Sequence, residues 1–162
     1  MSSDESDLTD LRTVADYQFG ADAGEALFPP GTPLSISRST SGRPRQIHTT
    51  AEHTTAERIV TYATDGRFTL GLAGGRRLVA ATDAPRNRVV VGSESQPFVR
   101  DGKNVFAKFV RDVDEAVRPG DEVAVVHEDG DVLGVGRAEL AADAMCDFET
   151  GMAVKVRTGA GD

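Results

Sequence analysis

Short β-branched runs, set between turn residues at near-even spacing, constrain this chain more than any other feature. Val123–Val126 and Val132–Val135 flank Asp129-Gly130, and Arg58–Ala63 and Arg67–Leu72 flank Asp65-Gly66. An Asp-Gly pair between two such runs marks a hairpin, because glycine accepts the positive φ of the turn. Arg88–Val91, Val105–Val110 and Ala153–Val156 read as further strands, with Pro119-Gly120 as a turn. Short strands at this spacing, punctuated this way, predict a small barrel in the second half.

The first half reads differently. Leu8, Leu11, Val14, Ala15 and Phe19 recur at helical spacing, with Gly20 as a stop. Leu34–Ser37 alternates like a strand, and Ser39–Pro44 is a loop rich in turn formers. Gly74-Gly75 precedes a short helix over Arg76–Ala81, and Pro85 marks a junction. Beyond it, Ser95–Asp101 fits a helical turn ended by Gly102, and Ala141–Phe148 a short helix. The expected class is α+β. Residues 1–7 form a disordered acidic tail, 8–86 a small mixed α/β domain, 87–158 the barrel and 159–162 a second tail. No apolar run approaches the ~20 residues that span a bilayer. The acidic start lacks the basic and apolar regions of a signal peptide, so a cytoplasmic location with no membrane partner is expected.

Net charge is −8, yet its distribution is uneven. Residues 1–35 carry net −6, residues 36–111 net +7, and residues 112–162 net −9. A positive middle in an acidic chain is a candidate electrostatic footprint for phosphate. The alternative is internal pairing of its arginines with the carboxylates of both ends. Only three lysines stand against fifteen arginines, and sixteen aspartates against ten glutamates. This composition resembles that of proteins from salt-loving archaea, where surface acidity reflects the solvent.

Catalytic chemistry finds little support. Cys146 is the only cysteine, and His48, His53 and His127 show no paired metal-ligand spacing, so no metal or cofactor is expected. Cys146 reads as a small buried hydrophobe and His127 as an exposed turn residue. Asp121 and Glu122 are adjacent on a strand, point to opposite faces and cannot share a proton. No phosphate-loop, dinucleotide-binding, nucleophile-elbow or metallohydrolase motif is present, and the chain does not read as an enzyme.

The C-terminal pattern resembles a PUA domain. It is carried by Pro97-Phe98-Val99, Gly102-Lys103, Val105-Phe106-Ala107-Lys108-Phe109-Val110, Gly134-Val135-Gly136 and Gly151-Met152-Ala153-Val154-Lys155-Val156. Ala15–Gly20, Ser37–Arg45, Asp65–Leu70 and Arg76-Arg77-Leu78 resemble the domain that precedes PUA in archaeal tRNA-guanine transglycosylase, the family that exchanges a guanine during archaeosine synthesis. The resemblance implies a small mixed α/β domain followed by a PUA pseudo-β-barrel with short helices. The family's catalytic barrel, with its aspartates and zinc ligands, has no counterpart here. What is implied is therefore binding of RNA, expected to be tRNA, as an accessory module without base exchange, beside a separate tRNA-modifying enzyme. The other open reading is a protein-interaction module on the PUA fold, for example in ribosome assembly.

In the family, the first helix, the glycine after it, the following strand and the last strand make the RNA face. Carried onto this sequence, that implies Arg100, Gly102, Lys103, Asn104, Lys108, Arg111, Lys155 and Arg157. Gly102 lets backbone approach a sugar–phosphate chain or serves as a plain helix stop. All three lysines are expected on one face. In the first domain, Arg43 and Arg45 around Pro44 clamp phosphate or keep a loop soluble, and Arg76-Arg77 after Gly74-Gly75 suggest a phosphate nest. Phe106 and Phe109 are expected in the core, Phe106 foremost.

Overall fold

The computed structural model of the chain describes residues 3–50 and 55–161. They fall into two compact units that divide between Ala81 and Thr82.

The first unit opens on helix α1 (Ser3–Phe19), followed by α2 (Ala23–Leu27). Leu8, Leu11, Ala15 and Phe19 form the buried stripe of α1, as the helical spacing predicts. Residues 3–7 are not a disordered tail: they are the first turns of this helix. Asp4 and Glu5 lie in the first turn, where carboxylates complement the positive end of the helix dipole. Asp4 and Asp7 also pair with Arg38, and those hydrogen bonds hold the guanidinium pKa above its ordinary value. Residues 1 and 2 lie outside the described residues.

Four strands follow in an antiparallel meander: β1 (Leu34–Arg38), β2 (Pro44–Thr49), β3 (Arg58–Tyr62) and β4 (Phe68–Leu70). Ile36, Ile47, Val60 and Leu70 face one another across all four, and the last three are fully buried. The sequence reading stopped at the loop and missed β2, because Pro44 at a strand start and the polar run after it disguise a strand whose only fully buried side chain is Ile47. Along the outer edge of β4, the Gln18 side chain imitates a neighbouring strand. Its Nε2 donates to the Phe68 carbonyl at 2.8 Å, and its Oε1 accepts from the Phe68 N–H at 2.7 Å.

Helix α3 (Leu72–Ala81) begins four residues before the helix expected at Arg76. Gly74 and Gly75 lie inside it and are buried. A Cβ on Gly74 would come within 2.1 Å of the Ile59 carbonyl oxygen, so this glycine lets α3 press onto β3, and both glycines lie buried inside the helix and not in a loop ahead of it.

The second unit is a six-stranded, nearly closed sheet built from β5 (Arg88–Val91), β6 (Val105–Phe106), β7 (Val110–Val113), β8 (Glu122–His127), β9 (Val132–Ala138) and β10 (Met152–Gly159). The order is β6-β10-β9-β8-β5-β7, antiparallel except for the parallel β5–β8 pair. Two short helices, α4 (Gln96–Arg100) and α5 (Ala142–Asp147), complete it. Val89, Val91, Val99, Val125, Leu133 and Val154 belong to one core cluster. Each such side chain contributes about 1.5–3 kcal/mol on burial. Arg88 is buried at the start of β5, where its guanidinium donates to the Thr82 carbonyl at 2.8 Å and to the Thr82 hydroxyl at 2.9 Å. Burial lowers its pKa, against the opposing charges of Asp83 and Asp114.

The single strand expected over Val105–Val110 is broken. A 3-10 turn at Ala107–Phe109 separates β6 from β7, which takes a place at the far side of the sheet order. Residues 159–161 are no free tail either: the Ala160 N–H donates to Leu133 and the Gly161 N–H to Arg100, at 2.8 and 2.9 Å. No described helix is long and apolar enough to cross a membrane.

Candidate nucleic-acid interface

The second unit builds its interface from the end of α4. The Gly102 N–H donates to Val99 at 2.9 Å and the Lys103 N–H to Phe98 at 2.9 Å, a pair of bonds that closes a helix with a left-handed residue. Gly102 has φ +87°, a conformation that L side chains rarely adopt. The turn throws Lys103 into solvent, where Asp101 stands 3.9 Å away in an exposed pair of little energetic weight.

Asn104 then stitches this turn to the last strand: its Oδ1 accepts the Val156 N–H at 2.9 Å. Asn104 is thus committed to the fold. On β10, Lys155 and Arg157 are exposed and alternate with the buried Val154 and Val156. Lys155 lies opposite Arg137 of β9, which lies opposite Glu122 of β8. Arg137 is exposed and pairs with Glu139 at 3.1 Å. Arg157 grips the buried Glu122 through both guanidinium nitrogens, Nη1 donating to Oε2 at 3.2 Å.

The cross-strand register puts Arg137, Lys155 and Arg157 on one outward face of the sheet, with Glu122 and Glu139 paired to its arginines, and Lys103 is exposed on the turn that Asn104 ties to β10. The excess of positive charge is small. What the surface offers is a set of donors on a rigid sheet, suited to short contacts with phosphate and 2′-OH groups. Sequence reasoning missed Arg137, because the hairpin strand was ended at Val135. Its signal was the outward place after buried Leu133, Val135 and Gly136.

The other expected residues are dispersed. Lys108 lies on the 3-10 turn with its ammonium 5.1 Å from the centre of the Phe109 ring, and it lines a cleft of about 480 Å³ shared with Asp147 and Glu149. Arg100 donates to the Gly161 carbonyl at 3.2 Å and lies 3.7 Å from Asp131. Arg111 is paired with Glu94.

In the first unit, Arg43 stacks 4.4 Å over the Tyr62 ring and donates to the carbonyls of Tyr62 and Ala63, tying one hairpin tip to the other. Arg77 donates to the Leu27 carbonyl at 3.1 Å, at the end of α2. Arg45 and Arg76 are exposed.

Four further expectations are corrected. Phe106 is 47% exposed, not core, because the break after β6 leaves only Val105 facing inward. Phe109, on the 3-10 turn between β6 and β7, is likewise only partly buried. Cys146 is exposed, since Ala142 and Met145 supply the buried face of α5. His127 is largely covered, its ring between the Ser93 hydroxyl at 2.8 Å and the Asp129 carboxylate at 3.0 Å.

A left-handed helix end, a stitched final strand and a nearly closed mixed sheet define a PUA architecture, and residues 87–160 match the model of the PUA domain. Residues 9–85 match the patch-forming domain C2 of tRNA-guanine transglycosylase. The chain is 46% identical over 153 residues to a tRNA-guanine(15) transglycosylase of Methanothermobacter thermautotrophicus, covering 94% of this chain and 23% of that protein. It is 46% identical over 149 residues to that of Thermococcus kodakarensis, covering 92% and 24%. The chain thus spans about a quarter of the length of these curated relatives. Among solved structures, a hypothetical protein of Pyrococcus horikoshii OT3 shares the fold at a TM-score of 0.71 and 22% identity, covering 100% of this chain and 93% of that one.

Proposed function

We propose that this chain is an RNA-binding module that holds tRNA for guanine exchange while performing no exchange itself. The observation that carries the reading is the outward row of Arg137, Lys155 and Arg157 on neighbouring strands, with exposed Lys103 on the turn that Asn104 ties to the last strand. Relatives named as tRNA-guanine(15) transglycosylases supply the substrate class. The catalytic step belongs to a separate tRNA-modifying enzyme of the archaeosine route, and this chain supplies grip and register. In the first unit, Arg45 and Arg76 are exposed and are offered for further phosphate contacts. The setting we propose is a cytoplasm of high salt, in keeping with the Asp-rich, lysine-poor composition.

RNA crosslinked to the protein in its native cell, recovered and sequenced, tests the substrate. The reading expects tRNA. Recovery of no RNA, with ribosome-assembly proteins instead, supports the protein-interaction reading and sinks this one. Labelled guanine offered with tRNA to the purified chain tests the rest: incorporation into tRNA contradicts the absence of exchange.

A further inference from the structure

The cleft of about 480 Å³ beside α5 is used by neither the core nor the donor row on β10. It lies where α5 packs against β7 and the 3-10 turn, and the buried Met145 and Ala107 line it. Phe148 lines it as well and is 52% exposed. The fold does not hold that ring, because Ala142 and Met145 supply the buried face of α5. The charged residues of the lining are Asp147, Glu149 and Lys108. Asp143 stands four residues before Asp147 on the same side of α5, where two carboxylates repel each other. No basic residue in the last turn of α5 offsets them. Asp143, Asp147 and Glu149 are exposed, and none of them has an ion-pair partner among the described residues.

We infer that this cleft docks a protein partner through a segment that sets an apolar side chain against Phe148 and arginine or lysine against Asp143, Asp147 and Glu149. The inference goes beyond the RNA reading and stands without it. Charge complementarity selects the occupant: three unpaired carboxylates face a single ammonium, that of Lys108, so a basic segment is attracted and wrong partners are repelled. Phenylalanine is enriched in protein interfaces and supplies the apolar contact. RNA is the less favoured occupant, because the carboxylates repel phosphate. A second copy of the chain meeting this face about a two-fold axis would set the same carboxylates against one another.

The test pans a phage-displayed library of random short peptides on the full chain. A soluble Asp147→Lys/Glu149→Lys chain competes, which removes binders of every other surface. The surviving peptides should carry arginine or lysine beside phenylalanine, leucine or methionine. They should bind the parent about tenfold or more tightly than the charge-reversed chain. Phe148→Ala should weaken the same peptides about fivefold or more. Both variants replace exposed side chains, so they should keep the parent's Tm and its behaviour toward tRNA. No surviving peptide, survivors that are acidic, or survivors that bind Phe148→Ala as well as the parent overturn the docking site. A Phe148→Ala chain that loses tRNA affinity assigns the cleft to RNA, and one that loses self-association in sedimentation assigns it to a second copy; either result overturns the inference.

Discussion

Arg157 on β10 reaches across β9 to hold both carboxylate oxygens of Glu122 on β8. The carboxylate side chain is only 6% exposed and the arginine side chain 34%. The pair is therefore asymmetric. Water reaches the guanidinium, while the carboxylate depends on it.

That asymmetry predicts unequal losses. Arg157→Ala takes a bidentate partner from a buried carboxylate and should cost about 2–3 kcal/mol, below the usual figure for a fully buried pair because the site is partly wet. Glu122→Gln keeps a hydrogen-bonding group in place and should cost about 1 kcal/mol. Urea unfolding of the two variants checks this. Equal costs would mean that the pair acts as an ordinary surface bridge.

Substitution at Gly102 separates its structural role from the RNA contact proposed for it. Valine at φ +87° is strained by about 1–3 kcal/mol, and its branched side chain would project into the open space beside the turn, where the proposed RNA contact lies. Gly102→Val should lower both the Tm and the RNA affinity. Asparagine tolerates this conformation, so Gly102→Asn should recover most of the Tm. Thermal unfolding and RNA titration of both variants read the two effects apart.

Gln18 protects the β4 edge, and Gln18→Ala should expose it. The loss of two hydrogen bonds to Phe68 should cost about 1–2 kcal/mol. Hydrogen exchange at the Phe68 amide should accelerate while that of Leu133 in the second unit stays slow. Unchanged exchange at Phe68 would show that another group caps the strand.

The sequence exposed elements with one dominant signal. The α1 stripe and the Asp129-Gly130 hairpin were readable from spacing and turn chemistry alone. What stayed hidden depended on partners distant in the chain. β2 is a strand because Ile47 meets Ile36 and Val60, and Gly74 is a helix interior because Ile59 lies against it. Among the site residues, the outward place of Lys155 was legible from the strand alternation and that of Lys103 from the glycine turn before it. Lys108 was expected on a continuous strand over Val105–Val110 and lies instead on a 3-10 turn. Arg43, Arg77, Arg100 and Arg111 show the general difficulty: the sequence reveals a guanidinium but not whether a carbonyl or carboxylate already occupies it.

The measurement closest to the central claim is tRNA affinity as a function of salt for the parent and for Lys103→Ala/Lys155→Ala. Both lysines are exposed, so the Tm should hold. At high salt the Debye length shrinks to ~3 Å, and binding must then rest on direct contacts. The account predicts a large loss of affinity and a salt slope shallower by about 0.7–0.9 per lysine removed. Parental affinity and slope in the double variant would contradict it, and with it the assignment of this surface to RNA.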